Sequence, residues 1–471
     1  MPLKDPSSVS FQSSPTRRLV LASYWVLILL AVPLWWQTTS IERLALPTAR
    51  PALPLRFPVD VHLSGVSLHE IDELQQELRI WDGVDVKLHS GEGKNEFGSY
   101  TVTIDPTTSP AIHGRRLSLP DATNLAPILK SLLGPPADEG RAVGYAPRVR
   151  LAFTLLNEDA AAGGGVLGWD VRQAIEQTLA STLTTLRTLH NFTIESQVQF
   201  HAPLAFVPSP LPSLSEDETA PAWGLTREDL TVFVNSAEWT LSSSATNDPV
   251  LNFVLFVPAA ERRPLYILDA DGFPTPSTAF LLPQWGGIVL LNPASSLPSH
   301  LTAPDLAPIM TAFRQQLLLL LGVPALPATT HNVLADTLTG WQTDALTRLR
   351  ARQNAQNARA TLGSIVSLVS QIGNMPVGRG VRADVRGALG ALEGIATATA
   401  QNGVDILKKS TEALTLSARA FFAPGMLGLL YFPAEHTAAV YTPLFASVAV
   451  PLVAAVVREG RLWRAERRGT A

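Results

Sequence analysis

Two neighbouring carboxylates, Asp269 and Asp271, follow the apolar stretch Tyr266 to Leu268 in the sequence Asp-Ala-Asp-Gly. A D-x-D at the end of a strand can hold Mn2+ or Mg2+ for a sugar-nucleotide transferase, because hard divalent cations take oxygen ligands. The same residues make an ordinary Asp/Gly turn between strands, in which the Asp accepts amides of its own loop. A transferase would also need a nucleotide fold upstream and more acids nearby. Neither is evident, so the turn is expected and a metal-dependent glycosyltransferase is the alternative. Gly163, Gly164 and Gly165 lie between a strand pattern and a helix pattern, where glycines can cradle a phosphate. GGGVLG nonetheless lacks the G-x-G-x-x-G spacing and the Lys-Ser/Thr ending, and reads as a flexible loop.

The remaining chemistry is sparse. His69-Glu70 is followed by Ile71, Asp72 and Glu73, so the second His of H-E-x-x-H is missing, and there is no G-x-S-x-G elbow. The 9 histidines, His62, His69, His89, His113, His190 and His201 among them, show no metal-ligand spacing. With Cys 0, a thiol nucleophile, an iron–sulfur cluster, a zinc ribbon and a disulfide scaffold are all excluded. No catalytic residue, metal or cofactor is therefore expected. One modification site stands out, the N-glycosylation sequon Asn191-Phe192-Thr193. A net charge of −4 implies no nucleic-acid partner.

Residues 57–104 form a small α+β unit. Phe57, Val59, Val61 and Leu63 alternate with polar residues as a half-buried strand. Ser67 and Glu70 have capping-box spacing, and Leu68, Ile71, Leu74 and Leu78 repeat at helical intervals. Val84, Val86 and Leu88 make a second strand, and Tyr100, Val102 and Ile104 a third, expected as its hairpin partner. Residues 148–300 form the sheet region. Val149 to Leu155, a five-turn helix with Val171, Ile175, Leu179, Leu183, Leu186 and Leu189 on one face, and Phe192 to Phe200 imply a parallel β-α-β unit. Asn191 falls at its helix-to-strand turn. A Pro/Ser-rich stretch at 202–222 separates this unit from strands at Val232 to Asn235, Leu251 to Val257, Tyr266 to Leu268 and Gly287 to Leu291. NFVLFV and GIVLL are continuous apolar runs that suit central strands. Residues 304–422 are mainly helical. Their repeats are Leu334 to Leu349, Leu362 to Ile372, Val381 to Leu392 and Val404 to Phe421, punctuated by Gly373, Gly378 and Gly380. Phe421 to Phe432 is apolar but too short to cross a bilayer.

The fold class is thus α/β, a large domain with a mixed or parallel sheet flanked by helices, plus one transmembrane helix near each terminus. Charged residues are only 16% against 46% hydrophobic, low for a soluble chain. Leu19 to Trp36 is uncharged, is preceded by Arg17 and Arg18, and is closed by Trp35 and Trp36. At about 1.5 Å per residue it spans about 27 Å, close to the bilayer hydrocarbon. It is too long, and its end too bulky, for a usual cleaved signal peptide. Thr437 to Val457 is a second uncharged run, with Pro443 and Pro451 inside it. Such prolines are tolerated in a membrane helix packed against partners. Arg458, Arg461, Arg464, Arg467 and Arg468 follow, against Glu459 and Glu466. Arginines on both outer flanks put residues 1–18 and 458–471 in the cytosol by the positive-inside rule, with 19–36 and 437–457 spanning. Residues 37–436 then lie in the lumen of the endoplasmic reticulum.

Several segments give this pattern a family. PLWWQTTSIERLALP (Pro33 to Pro47), FVNSAEWTL (Phe233 to Leu241), NFVLFVP (Asn252 to Pro258) and PQWGGIVLLNP (Pro283 to Pro293) resemble the PIG-S family of glycosylphosphatidylinositol (GPI) transamidase subunits, and the two-span layout agrees. The likeness covers essentially the whole chain, although 330–420 matches only in character. The resemblance implies membership of the complex that removes a C-terminal signal from a precursor protein and joins the new carboxyl end to a preassembled GPI lipid. It implies that the catalytic Cys/His pair sits on a separate caspase-like subunit, and that this chain is a non-catalytic member supporting assembly and substrate handling. The implied partners are that catalytic subunit and the other membrane subunits, with GPI lipid and precursor reached indirectly. A cysteine-free chain cannot itself form a thioester with a precursor.

Overall fold

The computed structural model describes residues 12–39, 42–47, 55–78, 83–134, 139–161, 164–211, 222–241, 246–293, 297–334, 337–372, 375–398, 402–427 and 434–469. Gly163, Gly373, residues 212–221 of the Pro/Ser-rich stretch and residues 428–433 lie outside them, as do the side chains of Trp35 and Trp36. The chain divides into two compact units. The larger comprises residues 53–356 and 391–412, the smaller residues 1–52, 357–390 and 413–471. The first helix, α1 (Ser14–Thr39), belongs to the smaller unit.

The larger unit opens with β1 (Phe57–Ser64), α2 (Leu68–Leu78), β2 (Val84–Ser90), β3 (Ser99–Ile104), β4 (Ala111–His113), β5 (Arg116–Leu119) and α3 (Leu125–Leu133). Alternating burial along β1 follows the sequence, with Phe57, Val59, Val61 and Leu63 inward. The Ser67–Glu70 capping box forms as expected. Glu70 Oε2 accepts from the Ser67 amide at 2.9 Å and from its hydroxyl at 2.7 Å, while the Glu70 amide donates to Ser67 Oγ at 3.3 Å. These bonds favour the charged carboxylate and hold the Glu70 pKa below its usual value.

One expectation fails here. β3 is not a hairpin partner of β2; it pairs with β1, and both β2 and β3 run parallel to β1. The loop explains it. Eight residues lie between Ser90 and Ser99, and an extended chain of that length reaches about 26–29 Å, enough to return along a strand. The hairpin is instead β4–β5, whose two-residue turn has Gly114 at φ 59°.

The second sheet follows with β6 (Arg148–Asn157), the short β7 (Gly168–Trp169), α4 (Val171–Thr178), α5 (Ala180–Leu186) and β8 (Asn191–Gln199). The expected five-turn helix is thus two helices meeting at Leu179, and every apolar residue named for its face is buried. β6 and β8 are parallel, as the β-α-β pattern requires. Then come β9 (Ser209–Leu211), β10 (Ala222–Leu225), α6 (Arg227–Thr231), β11 (Val250–Val257), β12 (Leu265–Ile267), β13 (Ala279–Leu282), β14 (Gly286–Leu290), β15 (His300–Leu301) and α7 (Ala303–Leu320). The five-stranded order is β13-β14-β11-β6-β8, so NFVLFV and GIVLL are interior strands, with every residue of both buried except Leu291, which is half-buried just past β14. Val232 to Asn235 is not a strand. It is irregular chain that sinks Phe233 among Trp239, Phe256 and Phe280 on one face of the sheet. Its β-branched and aromatic residues fit a strand, but here they fill a cluster.

The helical region closes the chain, with the short β16 (His331–Asn332) before α8 (Gly340–Gln371), α9 (Arg379–Ala398), α10 (Gly403–Phe421), α11 (Pro424–Leu427) and α12 (Ala434–Gly469). Leu334 and Leu338 precede α8 rather than forming its face. The buried side of α10 is Ile406, Leu407, Ser410, Ala413, Ser417 and Ala420; of the expected stripe Leu407 is buried, Leu414 and Phe421 are half-buried and Val404 is exposed, so small residues complete its inner side. Within the larger unit α8 joins two cores. Its Trp341 lies in the core of the first sheet, and Leu346 and Leu349 in the core between the second sheet and α4, α5 and α7.

Candidate functional site

The Asp-Ala-Asp-Gly segment is a turn. Asp269 Oδ1 accepts the Asp271 amide at 3.0 Å and the Phe273 amide at 2.8 Å, and Gly272 takes φ 86° to let the chain reverse. An Asp oxygen that closes its own loop is held in place by that loop. The glycine-rich loop is likewise built into the fold. Gly164 O accepts from Arg263 Nη2 at 2.6 Å, and the Asn157 side chain brackets Val166, accepting its amide at 2.7 Å and donating to its carbonyl at 2.8 Å. The helix beyond, α4, has Asp170 at its N-cap, and His300 Nε2 sits 2.9 Å from that carboxylate. An acid at this end repels a phosphate.

The histidines are dispersed. His62 and His89 face each other across β1 and β2 with ring centroids 5.1 Å apart, and His89 Nε2 meets Asp60 Oδ1 at 3.1 Å. Burial and then His89 depress the His62 pKa. His190 is a core residue. Its Nδ1 lies 2.6 Å from the Ala146 carbonyl, and burial pushes its pKa down to about 4. Among the described residues no three acids and histidines gather as a metal site.

A buried polar knot, not visible in the sequence, sits at the start of α8. Arg115 donates to both oxygens of Asp344, each at 2.7 Å, and the Tyr100 hydroxyl donates to Asp344 Oδ2 at 3.0 Å. Arg348 Nη1 donates to the Tyr100 oxygen at 2.7 Å, and Trp341 stacks on the Tyr100 ring at 4.0 Å. Burial raises the Tyr100 pKa, and the Asp344 bonds raise that of Arg115. The carboxylate and the hydroxyl at its centre are each hydrogen-bonded, which is what a low-dielectric setting demands of polar groups. The arrangement locks α8 to the first sheet.

The exposed apolar surface lies elsewhere. Ser14–Leu34 and Ala439–Ala465 are helices long and apolar enough to cross a bilayer, and none of their apolar windows is buried. Leu19 is 73% exposed and Val450 66%. A core helix of a water-soluble protein would hide such residues, so lipid is the solvent that fits them. Pro33 lies inside α1, and Pro443 and Pro451 inside α12. At the flanks, Arg17 Nη2 donates to Glu459 Oε1 at 3.0 Å, with Arg18 at 3.9 Å from the same oxygen. Arg17 lies in the first turn of α1 and Glu459 in the C-terminal half of α12, so the pair ties the start of α1 to the later part of α12. The sequence supplied the flanking charges but not their pairing.

Residues 22–113 and 130–466 match the family described as PIG-S, phosphatidylinositol-glycan biosynthesis class S protein. The chain belongs to the PIG-S family. It is similar to the GPI-anchor transamidase component PIGS of Rattus norvegicus, 34% identical over 334 residues that cover 68% of this chain and 59% of the rat protein. With the Homo sapiens component the identity is 34% over 320 residues, covering 65% of this chain and 56% of the human protein. The GPI transamidase component PIG-S homolog of Schizosaccharomyces pombe is 28% identical over 493 aligned positions, covering 96% of this chain and 85% of that protein. The match thus spans somewhat under three-fifths of the human relative.

The segments that first suggested the PIG-S family have structural work in this chain. NFVLFVP is β11 at the centre of its sheet, and PQWGGIVLLNP supplies β14. Gly287 is needed where β14 passes α7, because a Cβ there would run into the Gln316 side chain, whose Nε2 donates to Phe280 O at 2.9 Å and to Ile288 O at 3.2 Å. FVNSAEWTL contributes the buried Phe233 and Trp239. Pro33 to Pro47 holds the end of α1 and the residues tied by backbone bonds to Val377. Asn191 opens β8, the edge strand of its sheet, and both Asn191 and Thr193 are exposed.

Proposed function

We propose that this chain is a non-catalytic, membrane-anchored subunit of a GPI transamidase of the endoplasmic reticulum, supporting assembly and substrate handling while GPI is joined to precursor C-termini. The observation that carries the reading is the pair of exposed apolar helices, tied by the Arg17–Glu459 pair, in a chain of the PIG-S family. A sequence with Cys 0 supports a subunit role, since thiol catalysis must come from another chain. The partners are a caspase-like catalytic subunit and the other membrane subunits, and contact with GPI lipid and precursor is indirect.

In this reading residues 1–18 and 458–471 are cytosolic, 19–36 and 437–457 span, and 37–436 are lumenal. The arginine-rich flanks support that orientation. Asn191 carries an N-glycan. Asn191 and Thr193 stand two apart on an extended strand, so both side chains lie on one face.

The chain is expected to co-purify with the other transamidase subunits in mild detergent, and its depletion to leave precursors with uncleaved C-terminal signals. Normal GPI attachment after depletion defeats the reading. Orientation is read separately: endoglycosidase should increase the mobility of the chain but not of an Asn191→Gln variant, and digestion of 37–436 by protease in sealed microsomes would overturn it.

A further inference from the structure

The smaller unit contains a cavity of about 510 Å³, in the range of small-molecule sites. Its position follows from the chain. The Val377 amide donates to Glu42 O at 2.9 Å and the Leu44 amide to Val377 O at 3.0 Å, so the segment leaving α1 is stitched to the cavity wall. Glu42 also lines the cavity and comes three residues after Thr39, the last residue of α1. Three residues reach about 11 Å at most. If α1 spans, the cavity opens where the headgroups of the leaflet begin.

Its lining is two-sided. Val381 and Met426 are buried in the wall, and Phe422, 66% exposed, lines it with its ring edge-on to that of Phe421 at 5.1 Å. In the lining, Arg419 grips Asp384, with Nε at 2.8 Å, and Glu42 Oε1 is met at 3.3 Å by Nε of Arg379, which stands just outside the lining. Each pair sets a cation beside an anion. A ligand carrying only one charge would be attracted by half of such a rim and repelled by the other half. A ligand with a phosphate and an ammonium a few bonds apart matches both, the phosphate on the arginines and the ammonium on the carboxylates. The space is open: a Cβ added at Gly380 or Gly425 would meet nothing within 4 Å.

We propose that this cavity seats a zwitterionic phospholipid of the adjoining leaflet, headgroup on the rim and upper acyl chain against Val381, Phe422 and Met426. The inference rests on α1 and α12 being membrane spans. The test uses the full chain in phosphatidylcholine nanodiscs doped with a phosphatidylethanolamine that carries a diazirine near the glycerol end of one acyl chain. Adducts are mapped by mass spectrometry after illumination. Adducts are expected at 376–384 and 419–426, above those on the exposed surface of the larger unit. The double variant Gly380→Leu, Gly425→Leu, at two wall positions where a Cβ meets nothing, adds bulk at the cavity and should bring them to background while labelling along α12 is kept. Glu42→Gln with Asp384→Asn, which removes the ammonium partners but leaves the space, should weaken labelling by phosphatidylethanolamine more than by a phosphatidylglycerol analogue. Normal labelling of α12 with none at the cavity, or cavity labelling indifferent to filling, overturns the inference while the span reading stands. An unlabelled α12 overturns both.

Discussion

In the larger unit, Phe153 and Phe253 stack at 5.2 Å with no exposure, on strands whose neighbours are equally apolar. In the smaller unit, Leu30 is 71% exposed on a helix of the same apolar character. The residue types are alike; the solvent they answer to is not. In one unit apolar area leaves water by facing other side chains, and in the other by facing lipid, which asks only that the backbone satisfy itself within each helix. Polar groups divide the same way. The larger unit gathers Asp344, Arg115, Tyr100 and Arg348 into a closed knot. The smaller keeps its ion pairs at helix ends and on exposed rims. The lesson is that burial inside the protein is a poor guide to importance in a chain with two solvents.

Asp344 gives the sharpest way to break this contrast. Asp344→Ala leaves a partly buried Arg115 without its carboxylate and the Tyr100 hydroxyl without an acceptor, and should lower the denaturant-measured stability of the detergent-solubilised chain by about 3–5 kcal/mol. A loss of a few tenths would mean the knot contributes little. Next is Leu30→Arg in α1. On a water-facing helix such a change stays within about 0.5 kcal/mol, whereas in the middle of a bilayer it costs about 2.5–3.5 kcal/mol. In a microsomal insertion assay of α1 the variant should insert less often than the parent, while α12 keeps both in the carbonate pellet; equal insertion would count against a lipid-facing α1.

Protonation probes the interior from a different side. Burial lowers His190 from 6.5 to about 4, so the unfolded chain binds the proton more readily. The stability this neutral histidine supplies is fully present above pH 6.5 and is lost as pH falls toward 4, at up to about 1.4 kcal/mol per pH unit. The His190→Gln variant should show a shallower loss across that window, and parallel curves would place the acid sensitivity elsewhere. The smallest effects belong to the surface. Ser67→Ala removes the cap of α2 and should cost about 1 kcal/mol in thermal or chemical unfolding. Arg172→Ala breaks only an exposed pair with Glu176, four residues on, and should cost under about 0.5 kcal/mol. If the order of those two were reversed, the surface electrostatics would need rethinking.

Much of the architecture was legible because it is written in short-range spacing. The period-2 burial of Phe57, Val59, Val61 and Leu63, the Ser67–Glu70 cap and the apolar runs of β11 and β14 are local facts, and so are the two apolar helices and the lack of a thiol. What the spacing left open was pairing. It offered β3 to β2, when an eight-residue loop allowed β3 to lie beside β1. It read a strand at Val232 to Asn235, when Phe233 was wanted by a cluster of rings from distant segments. It could not foresee the bonds of Arg115, Tyr100 and Asp344, or of Arg17 and Glu459, which are 229, 244 and 442 positions apart. The amino-acid order by itself marked the long strands β1, β6, β8 and β11, the capped helix α2 and the two long apolar helices, because those depend on neighbours a few residues away. The tertiary structure alone decided which segments meet, where a cavity stays open and which charges are paired, because those depend on packing between residues the chain holds far apart.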